Sequence, residues 1–216
     1  MYRGDKARFG LSAALPMVRA MITLTDIRER VRSDLSDTTS IVWPDGQLDR
    51  HIAHALSDLS LAMPRELSAD VATTADSRDI SVAAIDGLID VEMVEFPIGR
   101  FPPCYPGFAS WAQTLTLHTQ AAPDGEDARV FYTASHQLDE DGSTLSDHLA
   151  EVLVTGAAAY AALELAAGTA NEVALQPAAS ERYAALSRAR LTAFRQLLHT
   201  YGRKNRVRPR RMYVPA

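Results

Sequence analysis

The stretch Thr144–Gly168, TLSDHLAEVLVTGAAAYAALELAAG, decides how the rest of this chain is read. Leu145, Leu149, Val152, Leu153, Tyr160, Leu163 and Ala167 recur at steps of three and four, the spacing of one helical face. Alanines and Gly156 fill the positions between them, so the surface is small enough for a neighbouring helix to come close. At 1.5 Å per residue the helix is roughly 35 Å long, with Ser143 or Thr144 as its expected cap. A helix apolar nearly all round needs cover on most sides. One partner is expected in the same chain, Ser180–Tyr201, whose stripe is Tyr183, Leu186, Leu191, Phe194, Leu197, Leu198 and Tyr201. The others are expected to be further copies of the protein, packed through Leu149, Val152, Gly156, Ala159, Tyr160 and Leu163.

Upstream, Thr23–Ser36 reads as a helix with Thr23 or Thr25 as N-cap and Ile27, Val31 and Leu35 on one face. Ser36–Ser40 is a polar break. In Trp43-Pro44-Asp45-Gly46, Pro44 presets the backbone, Asp45 is placed to cap the next helix, and Trp43 sits where a hydrophobic staple packs. That helix, Gln47–Met63, carries Leu48, Ile52, Ala55, Leu56, Leu59 and Met63 and is stopped by Pro64. Arg65–Arg78 reads as a polar stretch. From there the period drops to two: Ile80 and Val82, then Ile89, Val91 and Val94, are strands, with a hairpin turn expected at Asp86-Gly87. Four prolines make Pro97–Phe108 a long loop, after which Trp111–Thr119 and Arg129–Ala134 resume the strand pattern across Pro123-Asp124-Gly125. Gly202 is placed as the stop of the last helix.

The expected fold is therefore mainly helical, of the α+β kind. It has about four helices in a bundle, an inserted antiparallel β-unit and an extended basic tail. Its divisions are an N-terminal extension (1–20), a helical pair (21–64), the β-unit with its Pro-rich loop (65–140), a long helical pair (141–202) and the tail (203–216).

With 216 residues, 47% hydrophobic and 23% charged, the composition is that of a globular protein with a real core. Cys104 is the only cysteine, so an intrachain disulfide and a thiolate metal site are both excluded. A cytoplasmic origin is the default. Met1–Ala20 has the bases and mild apolarity of a leader, but Pro16 and Arg19 interrupt it, and an upstream extension before Met17 or Met21 is the preferred reading. No apolar run long enough to span a membrane forms without help from Ala and Gly. Charge is uneven: Arg203, Lys204, Arg206, Arg208, Arg210 and Arg211 stand with no acid among them, leaving the remaining residues at −11 within a total of −5.

Catalytic chemistry is hard to build from these residues. His51, His54 and Asp58 share a helix face, but without a fourth ligand they read as edge side chains rather than zinc ligands. Ser135, His136 and Asp139 are a nominal triad, yet neighbours on a strand point to opposite faces. Cys104 has no adjacent histidine to activate it. No Gly-rich phosphate loop is present. No cofactor and no metal are expected. The tail, with Met212, Tyr213 and Val214 after its bases, combines steering charge with an apolar anchor, which favours a protein partner over nucleic acid.

The order of elements then matters. Asp26–Leu35, the turn Ile41–Leu48, the helix ending Leu61-Ala62-Met63-Pro64, a β-insert, Val130–Thr133 with His136, Ser143-Thr144-Leu145 and the Ala-rich helix together resemble the head-to-tail connector (adaptor) proteins of long-tailed bacteriophages and prophages, over about Ile22–Arg211. The resemblance implies a non-enzymatic structural protein of the phage neck, made in the host cytoplasm. It implies a ring, a homododecamer in that family, beneath the portal protein and above a tail-side stopper or tail-terminator protein, through which double-stranded DNA passes without specific binding during genome ejection. It also implies portal docking by Arg203, Lys204, Arg206, Arg208, Arg210, Arg211, Met212 and Tyr213, and leaves Asp139, Glu140 and Asp141 as candidate lumen acids. A heterologous contact that closes gives such a ring. Two competing classes are a nucleic-acid-binding regulatory module using the same tail and a small hydrolase using His136.

Overall fold

The computed structural model describes residues 21–37, 39–171 and 177–206, with the elements of an α+β protein: four helices and two three-stranded antiparallel sheets. Helix α1, Leu24–Leu35, is closed by a reciprocal capping box in which Thr23 Oγ1 accepts from Asp26 N and the Asp26 carboxylate accepts from Thr23 N. Thr23 rather than Thr25 is the cap. It ends where Ser36 adopts φ 59°, a left-handed residue that returns its N–H to Arg32 O and Ser33 O. Helix α2, Asp45–Ala62, begins two residues earlier than its apolar stripe suggests. Pro44, whose ring has no acceptor, is its cap residue and makes no side-chain cap bond, while Asp45, expected as the cap, lies in the first turn and pairs with Arg32 at 2.5 Å. Trp43 is buried, its ring edge-on to Tyr183 at 6.2 Å.

The segment read as a polar stretch contains a strand. β1, Arg65–Ala72, alternates half-buried and exposed residues along its length, Leu67, Ala69 and Val71 facing in and Glu66, Ser68 and Asp70 facing out. Its inward side chains are small or few, so the period-two signal was weak. β2 (Asp79–Ser81), β3 (Leu88–Glu95), β4 (Phe108–Trp111), β5 (Thr114–Leu117) and β6 (Asp127–Ala134) follow. They form sheets of order β1-β6-β3 and β2-β5-β4. The strands flanking Asp86-Gly87 thus belong to different sheets, and no hairpin forms there: β2 pairs with β5, Ile80 opposite Leu115, and β3 with β6, Val94 opposite Val130. The two apolar faces meet in one core of Ile80, Val82, Val94, Phe96, Leu115, Leu117, Ala128 and Val130.

α3 spans Asp147–Asn171 and α4 Pro177–Arg206. Neither Ser143 nor Thr144 caps α3; Ser146 O accepts the first helical bond, from Ala150 N. Nor does Gly202 end α4. It lies inside the helix where α4 crosses the end of α2 so closely that a Cβ would sit 2.8 Å from Ala62 O. α3 packs against α1, α2 and α4, and these helices share a second core, running from Ile27, Val31, Leu48, Ile52 and Leu59 through Leu153 and the α3 alanines to Phe194.

Candidate functional site

The Ala-rich face of α3 is spent inside the chain. Val152, Gly156 and Ala159 are buried. Gly156 lies under the Phe194 ring so that a Cβ would approach it to 2.7 Å, and the buried Ser187 hydroxyl donates to Ala159 O at 3.1 Å. Gly156 and Ala159 therefore pack against α4 of their own chain and Val152 is buried in the same core, which corrects the expectation that these three meet another copy. The cause is length: α4 runs antiparallel to nearly all of α3, and α1 and α2 cover what remains. Leu149 and Tyr160 are half-buried against the same core, and only Leu163, 47% exposed, still faces outward. By length and composition the segment Asp147–Gly168 could cross a membrane, but more than half of it is buried in this core.

The histidines sit on polar seams. His51 is buried with Nε2 2.6 Å from Glu164 Oε2, and Arg50 also reaches that carboxylate. Burial holds the imidazole below its ordinary value of 6.5, opposed by the Glu164 charge. His54 stacks on Tyr160 with ring centroids 4.1 Å apart, and the Tyr160 hydroxyl donates to Asp58 Oδ2 at 2.5 Å, its pKa pushed up to about 12 by burial and by that bond. His51, His54 and Asp58 thus have separate occupations. Among the described residues no group of three or more His, Cys, Asp or Glu is arranged to hold a metal.

His136 is the hinge pin between the helices and the sheets. Its backbone N–H donates to Ser60 Oγ at 3.0 Å, its Nε2 lies 2.9 Å from Met63 O at the end of α2, and its Nδ1 lies 3.1 Å from Thr144 Oγ1 before α3. Since a carbonyl only accepts, Nε2 carries the proton and Nδ1 accepts from the threonine. Burial lowers its pKa, with the Arg65 charge adding to the effect. Thr144 also accepts from Gln137 N, which is why it does not cap a helix. Ser135, beside it, packs against Gly87 and donates its N–H to Gly87 O at 2.9 Å, while the Asp139 carboxylate accepts from Asp141 N and Gly142 N. Neither group is directed at the imidazole. Cys104 is exposed.

Of the three candidate lumen acids, Glu140 is bound within the chain, to Arg28 at 2.8 Å and the Thr25 hydroxyl at 2.7 Å; Arg28 also pairs with Asp49. Asp139 shapes its own turn, and Asp141 is exposed. In the basic tail, Arg203, Lys204 and Arg206 belong to the last turns of α4; Arg208, Arg210, Arg211, Met212 and Tyr213 lie outside the described residues.

Two features escaped sequence reading. Asp37, in the polar break, is buried and accepts from Ile41, Val42 and Trp43 N–H groups while meeting Arg32, which also donates to Trp43 O. The pair organises the α1–α2 turn, and a single Asp among serines gave no sign of it. Phe101, 97% exposed, and Trp111, 86% exposed, stand on the Pro-rich loop and at the end of β4. The acidity, too, lies elsewhere than expected: residues 65–140 hold thirteen carboxylates against four arginines.

No protein-family model matches this chain, and no curated protein matches it.

Proposed function

We propose that the chain is a non-enzymatic structural protein of a phage or phage-like particle, a head-to-tail connector whose copies form a ring between portal and tail. The observation that carries this reading is the order and direction of the elements. α1 and α2 go out and back, the β-unit intervenes at the junction, and α3 and α4 go out and back again, with Gly202 returning against Ala62. This order of elements supports the reading, in which the helices form the ring wall, the β-unit is an insert, and the basic residues of the C-terminal segment reach the portal. Because the small residues of α3 are used internally, subunit contacts fall to other surfaces, with Leu163, Leu61, Ile41, Phe101 and Trp111 among the exposed apolar positions available. The net negative body suits a channel that DNA traverses without sticking.

Truncation after Arg206 tests the arm while sparing α4. The truncated protein is expected to keep its helix content and melting temperature but no longer to attach to portal-containing heads, as seen by electron microscopy. Undiminished attachment defeats the portal role. Salt-sensitive DNA binding by the full chain, lost on neutralising Arg206, Arg208 and Arg210, would instead select the nucleic-acid module.

A further inference from the structure

We propose that β1 is the contact through which two copies of this chain pair, edge to edge and antiparallel, joining their β1-β6-β3 sheets across a twofold axis at Ala69. Which groups this edge leaves open follows from the hydrogen bonds beside it. Thr73 N donates to Glu126 O, one step beyond the last β1–β6 pair, Ala72 with Asp127. Bonded and non-bonded pairs alternate along an antiparallel ladder, so Leu67, Ala69 and Val71 bond to β6 and the residues between them turn their N–H and C=O groups outward. β6 agrees from its other side, where Asp127 O accepts from Ile98 N and Ser135 N donates to Gly87 O, on the β3 flank. Among the described residues no hydrogen bond reaches the main-chain N–H or C=O of Ser68, Asp70 or Ala72.

The other edges are protected in ways that this one is not. β2 has three residues and β4 four, and β3 is broken by register shifts between Leu88 and Asp90 and between Val91 and Met93. Short and bulged edges resist pairing. β1 keeps unbroken register with β6 over eight residues and contains no proline or glycine. Its core-side chains Leu67, Ala69 and Val71 are only half-buried, whereas Ala128 and Val130 on the neighbouring β6 are fully buried. One more strand would cover them. Charge selects a second β1 as that strand. Outward-bonding residues must face one another, and a shift of two residues either way from the centred register sets Asp70 against Asp70 or Glu66 against Asp70, which like charges disfavour. The centred register avoids both: Ser68 faces Asp70 of the second copy, Glu66 faces Ala72, Leu67 meets Val71 and Ala69 meets itself. Asp70 is in addition bidentate to Arg129 at 2.7 and 3.0 Å, so the seam is not a row of bare carboxylates. A twofold contact uses the same patch on both copies and closes at two. The dimer is therefore a state apart from any ring, and the inference is independent of the portal reading.

The test is disulfide trapping of the full chain in a Cys104→Ser background, which removes its exposed native thiol. Ala69→Cys sets two thiols opposite each other with Cα atoms about 4.5 Å apart, within reach of a disulfide, whereas Val71→Cys leaves them roughly 14 Å apart. Under mild copper–phenanthroline oxidation the first should form a covalent dimer at least about tenfold faster than the second, and equal rates overturn the proposal. Sedimentation of the wild-type chain from about 1 to about 200 µM should carry the mass from 23.6 kDa toward twice that value; a monomer throughout sinks the idea. Ser68→Pro removes an outward donor without touching the ladder to β6, and should weaken dimerisation about tenfold while leaving the helical circular dichroism unchanged. Should that variant fail to fold, amide exchange of the wild type decides, since Ser68, Asp70 and Ala72 should gain protection as concentration rises. Protection already full at the lowest concentration gives the edge to another segment of the same chain, and growth of the mass beyond two copies gives open-ended pairing; either result overturns the twofold contact.

Discussion

The helical half and the β-unit solve the same burial problem in opposite ways. Among the helices, small residues let backbones touch: Gly156 under Phe194, Gly202 against Ala62, alanines along α3. Specificity there comes from volume that is absent, so the tolerance for added atoms is low. In the β-unit, Ile80, Leu115, Leu117, Val94 and Val130 fill the space between two sheets with large side chains, and residues 65–140 carry thirteen acids against four arginines. The half that looked adhesive is closed on itself, and the half that looked incidental presents the open, charged face.

The comparison can be broken at its strongest point first. Phe194→Ala should cost about 3–5 kcal/mol, because it empties the site that Gly156 makes room for. Urea unfolding followed by helical circular dichroism measures it, and a cost under 1 kcal/mol would mean the helices do not interlock as described. Leu115→Ala should cost about 2–5 kcal/mol but act on the other core, exposing β-strand amides to hydrogen exchange while the α3 amides stay protected. Equal loss of protection in both would make the two cores one cooperative unit. Arg32→Ala, which strips a buried partner from Asp37, should cost about 3 kcal/mol.

The pin between the halves is sharper still as a probe of pH. His51 and His136 are held neutral by burial, with folded values below the 6.5 of the unfolded chain. The unfolded state then binds more protons in that interval, so stability is full above pH 6.5 and falls as pH drops through the lowered values. Melting temperatures at pH 7.5 and at about pH 5 should show this loss, and it should shrink in His136→Gln. The smallest effect is expected at Glu140→Gln, under about 1 kcal/mol, since that carboxylate is largely exposed.

Much of this architecture was legible in the chain. Thr23 as one of two candidate caps, Pro64, the Ala-rich period and the Pro-rich loop announce themselves because capping and periodicity are local, and the structure selects Thr23, through Asp26. β1 was not legible, because Leu67, Ala69 and Val71 alternate too weakly to outweigh their polar neighbours, and a strand's stability comes from its partner β6. The separation of β2 from β3 was hidden for the same reason: a turn at Asp86-Gly87 is compatible with a hairpin or a crossing between sheets. Gly202 reads as a helix stop by type and is a helix crossing in fact, since only the position of Ala62 distinguishes the two.

What the sequence determined alone was the four helices, most of the strands, the break at Pro64 and the separation of a cationic end from an acidic body, all of which depend on residues near one another in the chain. Which surfaces are used up and which remain open was decided only by tertiary structure. A small apolar face is equally suited to a helix of its own chain or of another, and the choice depends on which neighbour arrives first at close range. Here α4 is tethered a few residues away, and it takes the place that a second copy would have filled.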